Sequence, residues 1–286
     1  MREQFDLLRS TPWQTLIICD SLRADEAPFD FAQGREPVER QAEMEDVEAV
    51  RSLAPITFEW VRRFAATFGR EELLLLCANP VVNRELRRLE TCWAQVPCWL
   101  WDWETAPDGG LPTVPASAVV QRLWRVMLRH GRPARMIVWL LQPHVPYPGI
   151  PYSDWGRGMA DPLSKAICGT PTIRQALNQG LVGWDQILAG RRQNVRIALE
   201  AAQRVAQAAR GLCVLTSDHG ELLGETGEDG LRLFGHAGDV GSHPALREVP
   251  WIEWDAGPID PSPLPPHPAW WDDGEIESKL EALGYA

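Results

Sequence analysis

One short apolar run constrains the fold more than any other feature of this sequence. The run Leu212–Thr216 (LCVLT) follows a long amphipathic helical pattern at 185–210 and precedes a polar, glycine-containing segment. This arrangement is typical of a buried strand in an α/β sheet. Such a strand delivers the residues after it, here Ser217, Asp218 and His219, to the carboxyl edge of the sheet, where open α/β folds bind ligands.

A second apolar run, residues 15–20 (TLIICD), also ends in an acid, Asp20. An adjacent carboxylate and imidazole such as Asp218 and His219 are natural ligands for a divalent metal, and a second acid at a strand tip favours that hypothesis. The alternative is a polar loop in which Asp218 caps the next helix. Ser21 and Arg23 follow Asp20 and suit an anion; alternatively Ser21 caps a helix and Arg23 pairs with Asp25.

Other apolar periodicities complete an alternating pattern of strands and helices. We predict further strands at 73–77, 96–101, 136–141 and 249–254, and further helices at 83–90, 117–130 and 275–283. Residues 26–50 and 148–182 are predicted to be loops, and 221–235 is polar and glycine-rich. Because no internal repeat or linker interrupts the pattern, we expect one α/β domain spanning 1–286.

Composition excludes some classes of function. The net charge of −11 argues against a general nucleic-acid-binding surface. No apolar run approaches the roughly 20 residues of a membrane span. The polar N-terminal residues 1–13 lack the apolar region of a signal peptide, so we expect a cytoplasmic protein. The six cysteines form no CxxC pair and are interpreted as reduced and mostly buried.

Two isolated residues allow both a structural and a catalytic interpretation. Thr57 follows Pro55, and apolar residues recur at helical spacing over 58–65, so Thr57 lies at or near a helix N-terminus. It is either an N-cap or a nucleophilic hydroxyl. His144 lies on a proline-rich loop after the 136–141 strand and is either a pocket residue or incidental.

Five motifs, in this order, cover residues from about 14 to 254: DSLRAD (20–25), QPHVPY (142–147), TSDHGE (216–221), Gly235-His236 and LREVPW (246–251). On these motifs the chain resembles the alkaline phosphatase superfamily, in its sulfatase-like hydrolase and transferase branch. The resemblance implies a three-layer αβα sandwich with a mostly parallel central sheet.

The resemblance also implies roles for individual residues. Asp20, Asp218 and His219 match the metal ligands of the family, and Thr57 matches its nucleophile. His144 matches a residue that contacts the anionic group or the leaving oxygen. His236 matches one that binds substrate or a second metal. We count one divalent metal ion, whose identity among Zn²⁺, Mn²⁺, Mg²⁺ and Ca²⁺ stays open.

The sequence also departs from the sulfatases. Thr57 is followed by Phe58-Glu59-Trp60, not by the Pro and Arg of the motif that is oxidised to formylglycine. Sulfate-ester hydrolysis by the formylglycine route is therefore not expected. The chain also lacks the large insertions of sulfatases and an Asp-x-x-x-His pair for a second metal.

We therefore predict a metal-dependent phosphoric ester hydrolase that uses a threonine nucleophile. His144 and His236 are expected to act as catalytic residues, and Arg23 and Arg247 to bind a small or glycan-linked anionic ester. One alternative is a phosphotransferase acting on a glycan or small alcohol. Another is a non-catalytic member of the superfamily that binds an anion or a protein. The oligomeric state stays open.

Overall fold

The computed structural model describes residues 1–27, 47–89, 91–104, 113–150, 152, 170–227, 230, 232–236 and 243–258. The described helices are α1 (Gln4–Ser10), α2 (Thr57–Phe68), α3 (Pro80–Arg88), α4 (Cys98–Trp101), α5 (Ala116–His130), α6 (Thr170–Asn178) and α7 (Trp184–Ala209). The described strands are β1 (Thr15–Cys19), β2 (Glu48–Arg51), β3 (Leu74–Cys77), β4 (Ala94–Pro97), β5 (Met136–Leu140), β6 (Leu212–Thr216), β7 (Leu222–Thr226), β8 (Arg232–Gly235) and β9 (Glu248–Asp255).

Seven of these strands form one sheet in the order β2-β9-β6-β1-β5-β3-β4. The five strands from β6 to β4 are mutually parallel, whereas β9 and β2 add antiparallel pairs at one side. On central strand β1, Ile17 lies opposite Val138 of β5 and Leu215 of β6. The carboxyl ends of β1, β5 and β6 are therefore neighbours, and the loops that follow them meet at one edge.

The sheet is buried on both faces, which makes the architecture a three-layer αβα sandwich. Alternate side chains of β1 enter different clusters, since Ile17 packs on the side covered by α5 and α7 and Leu16 on the side of α1, α2 and α3. Both faces therefore need apolar residues, which explains the continuous apolar run of β1. The fold class predicted from the sequence is confirmed.

Several predicted elements differ from the structure. Residues 96–101, predicted as a strand, are divided between β4 and the one-turn helix α4, because a short apolar run does not distinguish a buried strand from a buried helix. The polar segment 221–235 forms the hairpin β7–β8, whose strands are only partly buried and so lack a strong apolar signal. Three elements of the structure are not predicted from the sequence. They are helix α1, strand β2 at the end of the predicted loop 26–50, and helix α6 in the predicted loop 148–182.

Other predictions can be compared only in part. Residues 28–46 and 153–169, Cys168 and the predicted helix 275–283 lie outside the described residues. The five cysteines within the described ranges are all free, and four of them are buried, which confirms that interpretation for them. None of the described helices is long and apolar enough to cross a membrane.

Candidate metal centre

The structure brings four of the predicted site residues together at the carboxyl edge of the sheet. Asp20 follows β1, Asp218 and His219 follow β6, and Thr57 is the first residue of α2. The ligand atoms of Asp20, Asp218 and His219 lie within 4.8 Å of one another, and all three side chains are buried. Two carboxylates and an imidazole at this spacing match the preferences of a divalent metal ion.

The Asp20 carboxylate has one satisfied and one unsatisfied oxygen. Its Oδ2 accepts hydrogen bonds from Asn79 Nδ2 at 2.6 Å and Trp139 Nε1 at 3.2 Å. Its buried Oδ1 has no hydrogen-bond partner among the described residues. Burial, followed by the charge of Asp218, raises the pKa of Asp20 to about 8. A buried carboxylate oxygen without a partner is costly, and a bound cation would satisfy it.

The Thr57 hydroxyl points into this group of ligands. Thr57 Oγ1 donates to Asp218 Oδ2 at 2.8 Å and lies 3.1 Å from His219 Nε2. Ile56 is the N-cap residue of α2 and makes no side-chain cap. The N-cap interpretation of Thr57 is therefore wrong, since its hydroxyl bonds to site residues. The other oxygen, Asp218 Oδ1, accepts from Ser21 N at 3.1 Å, so Asp218 does not cap a helix either.

The hydrogen bonds of His219 define its tautomer. His219 Nδ1 lies 2.7 Å from the carbonyl oxygen of Gly220, and because a carbonyl only accepts, Nδ1 carries the proton. The lone pair of the neutral ring is then on Nε2, which lies 3.3 Å from Asp218 Oδ2. Burial lowers the pKa of His219, which favours this neutral form. A backbone carbonyl on the far nitrogen is the usual support of a metal-binding histidine.

A second group of three side chains lies directly beside the first. The ligand atoms of His144, Glu221 and His236 lie within 4.8 Å of one another. His236 Nδ1 is 3.0 Å from Glu221 Oε1, and the ring centroids of His219 and His236 are 4.2 Å apart. Burial, followed by the charge of His144, lowers the pKa of His236 to about 3, whereas burial raises the pKa of Glu221. This group is suited to hold a second cation or to contact an anion.

The side chains of both predicted substrate arginines are bound by other groups of the protein. Arg23 donates to Asp25 at 2.8 and 2.6 Å and also pairs with Glu225, which confirms the alternative in which Arg23 pairs with Asp25. Arg247 donates to the carbonyl oxygen of Ser52 at 3.2 and 2.6 Å. A role for either arginine in substrate binding stays a prediction.

Sequence reasoning missed several residues that shape this site. Glu221 is assigned no role by the sequence analysis, although its position two residues after His219 at a strand end is an available signal. Asn79 and Trp139, which donate to Asp20, carry no such signal in the sequence. Ser21 was proposed as a helix cap, but the N-cap of the next helical turn is Arg23. The Ser21 hydroxyl instead accepts a hydrogen bond from Arg191 at 3.1 Å.

The chain was compared with known proteins. No protein-family model matches the sequence, and no curated protein matches it. Among solved structures, a putative sulfatase of Bacteroides thetaiotaomicron has a TM-score of 0.50 at 12% identity, with 96% of this chain and 71% of that chain covered.

Two bacterial phosphoethanolamine transferases also match. The lipooligosaccharide transferase EptA of Neisseria meningitidis has a TM-score of 0.48 at 13% identity, with 86% of this chain and 48% of that chain covered. The C-terminal periplasmic domain of Escherichia coli EptC, solved in complex with Zn, has a TM-score of 0.48 at 15% identity, with 86% and 74% covered. This chain thus spans about half of the EptA chain. Sequence identities this low support a shared fold and no shared function. Of the three structures, only the Bacteroides thetaiotaomicron protein has a TM-score high enough to support the shared fold.

Proposed function

We propose that this chain, which has the fold of the alkaline phosphatase superfamily, is a metal-dependent phosphoric ester hydrolase with Thr57 as its nucleophile. One observation carries the proposal. The Thr57 hydroxyl lies 2.8 Å from Asp218 Oδ2 and 3.1 Å from His219 Nε2. A hydroxyl beside an acceptor and at the start of a helix is the arrangement of an activated nucleophile.

The residues that would hold the metal are Asp20, Asp218 and His219, with Thr57 Oγ1 as a further oxygen ligand. Two observations support this assignment: Asp20 Oδ1 accepts no hydrogen bond from the part of the chain that the structure describes, and His219 has its lone pair on Nε2. A divalent ion bound there would lower the pKa of the threonine hydroxyl and offset negative charge on the phosphoryl oxygens. Zn²⁺ is one candidate, since it accepts imidazole as well as carboxylate ligands, but Mn²⁺, Mg²⁺ and Ca²⁺ also accept oxygen ligands.

The side chains then divide the reaction into two displacements. Thr57 Oγ1 attacks phosphorus while its proton passes to Asp218 Oδ2, the Oγ1–P bond forms, and the bond from phosphorus to the leaving oxygen breaks. His144 protonates the leaving oxygen, and His236, whose ring centroid lies 5.3 Å from that of His144, contacts the phosphoryl group. Water then attacks phosphorus and gives a proton to His144, the Oγ1–P bond breaks, Oγ1 takes back the proton held by Asp218, and the phosphate product leaves.

The same phosphothreonine would serve a transferase if an alcohol replaced water as the acceptor. The choice of acceptor therefore depends on what enters the site after the first displacement. We also propose that residues 1–286 form a single domain. Cytoplasmic location, and a small or glycan-linked ester as substrate, stay predictions.

The test is hydrolysis of mono- and bis-p-nitrophenyl phosphate by protein loaded with each candidate metal. We expect Thr57→Ala to lower kcat/KM by about 10³-fold or more, because the nucleophile is lost. Thr57→Ser keeps a hydroxyl and should retain activity well above that of the alanine variant. Thr226→Ala, at an exposed threonine of β7, is the matched control and should leave kcat/KM unchanged.

Two results would overturn the proposal. Full activity of Thr57→Ala would exclude Thr57 as nucleophile. Failure of the wild type to bind any divalent metal or to cleave either ester would instead favour the non-catalytic alternative. Intact-mass analysis after rapid quenching adds a direct check, since one phosphoryl group should appear on the wild type and be absent from Thr57→Ala. Added alcohol that yields a phosphoalcohol in place of phosphate would identify a transferase.

A further inference from the structure

Arg191 is a fully buried cation on α7, a helix that contributes none of the metal-centre residues. A guanidinium has five N–H donors in a rigid fork, and all five are used here. Nε and Nη2 donate to the Glu26 carboxylate at 2.8 and 2.6 Å. The other three bonds go to the Ser21 carbonyl at 2.6 Å, the Ser21 hydroxyl at 3.1 Å and the Pro143 carbonyl at 2.9 Å.

Two of the three residues that accept hydrogen bonds from Arg191 are chain neighbours of site residues. Ser21 directly follows Asp20 at the end of β1, and Pro143 directly precedes His144 after β5. One side chain of α7 therefore joins the loops that follow two adjacent parallel strands. These loops place one ligand of the first group and one residue of the second group.

The next turn of α7 extends the same contact. Asn194 Nδ2 donates to the carbonyl oxygens of His144 at 3.0 Å and Pro146 at 2.9 Å. A Cβ at Gly190 would lie 2.7 Å from the carbonyl oxygen of Pro148, so the loop approaches this helix at a distance that only glycine permits. Gly190, Arg191 and Asn194 thus hold the loop after β5 by backbone contacts.

Ser21 shows that the loop after β1 is constrained as well. Its φ of 63° is in the left-handed region, which is uncommon for a residue other than glycine. Such a conformation persists when surrounding contacts over-determine it. Arg191 holds the carbonyl and hydroxyl of Ser21, and Asp218 Oδ1 accepts from its amide. The backbone next to Asp20 is therefore held from two sides.

We propose that Arg191 is a positioning residue for the metal centre. Its guanidinium fixes the position of Asp20 relative to Asp218, and it fixes the position of His144 relative to Glu221 and His236. This inference rests on the proposed function, because it needs a metal at the first group. Outer-shell partners that orient metal ligands typically affect metal affinity by about 10–100-fold when they are replaced. Arg191 acts one step further out, through the backbone that carries the ligands.

The test uses Co²⁺ as the probe, because its visible absorption reports ligand geometry and its titration gives an affinity. Arg191→Lys keeps the positive charge but replaces the five-donor fork by a single ammonium. We expect the Kd for Co²⁺ to rise by about 10-fold or more and the Co²⁺ absorption bands to shift.

The matched control is Arg122→Lys. Arg122 donates to both oxygens of Asp102 at 3.0 and 2.7 Å, which is a similar two-point bond that involves none of the metal-centre residues. We expect Arg122→Lys to bind Co²⁺ with the affinity and spectrum of the wild type.

The outcomes separate the two proposals. Wild-type Co²⁺ affinity and spectrum in Arg191→Lys, with only a lower melting temperature, would show a purely structural role and overturn the inference. A wild type that binds no Co²⁺ would overturn the proposed function and this inference with it. If Arg191→Lys does not fold, Glu26→Gln replaces it. That variant weakens the charged anchor of the guanidinium and should shift Co²⁺ affinity in the same direction, and an unchanged affinity would overturn the inference.

Discussion

Gln4 offers a stringent test of how this fold holds its site. The side chain is fully buried on α1, and every hydrogen-bonding position of its amide is used. Nε2 donates to Thr216 Oγ1 at 2.7 Å and to the Ser217 carbonyl at 2.8 Å. Oε1 accepts from Leu53 N at 3.2 Å and from Trp60 Nε1 at 2.9 Å. The amide therefore joins the end of β6, the segment before α2 and α2 itself.

The perturbation is Gln4→Met, which nearly preserves side-chain volume and removes both polar atoms. It leaves the Leu53 amide and the Trp60 indole as buried donors without acceptors. Each such group costs about 1–3 kcal/mol, so we expect the free energy of unfolding to fall by about 2–6 kcal/mol. Against a typical total of about 5–15 kcal/mol, this loss is large enough to shift the unfolding midpoint strongly.

The assay is urea unfolding followed by tryptophan fluorescence, with Gln142→Met as the matched control. Gln142 is also buried, and its Nε2 donates to the Val114 carbonyl oxygen at 3.1 Å and to Thr113 Oγ1 at 3.2 Å. Its Oε1 accepts no hydrogen bond from any residue that the structure describes. Gln142→Met therefore leaves no buried donor without an acceptor, and we expect it to lower the free energy of unfolding by about 1 kcal/mol or less. Equal losses in the two variants would refute the argument that orphaned donors dominate the cost.

Two further predictions concern stability away from the proposed ligands. Gly190→Ala should lower the free energy of unfolding by about 1–3 kcal/mol, because the added Cβ would clash with the carbonyl oxygen of Pro148. The control is Gly183→Ala, whose Cβ would meet its nearest atom at 3.7 Å and should change the free energy of unfolding by less than about 0.5 kcal/mol. Equal effects of the two substitutions in chemical denaturation would contradict this prediction. Burial alone would raise the pKa of Glu225, but hydrogen bonds, including those from Arg23, lower it below the ordinary value of 4.5. A depressed folded-state pKa stabilises the fold above the unfolded-state value, so the stability difference between the wild type and Glu225→Gln should be greatest above about pH 5 and shrink as the pH falls; a difference independent of pH would contradict the assignment.

Much of the fold is a local property of the sequence. The apolar periods of α5 and α7, and the continuous apolar runs of β1, β5 and β6, predict these elements with bounds close to those observed. The reason is that burial on one helix face or on both sheet faces leaves a pattern within a few residues. The polar residues that end β1 and β6 are local as well, so the sequence alone indicates Asp20, Asp218 and His219 as candidate ligands.

The tertiary structure decided what local patterns do not encode. Strand order places β1 between β5 and β6, and the parallel pairing of β1 with β6 brings Asp20 to Asp218. Thr57 bonds to Asp218 across 161 residues of sequence, and this bond excludes the N-cap interpretation of Thr57. The buried contacts of Arg191 also join distant segments, because a buried charge is stable only where its partners converge in space. The sequence thus indicates which residue types form the candidate site, whereas the contacts of these residues depend on how the sheet and the helix layers pack.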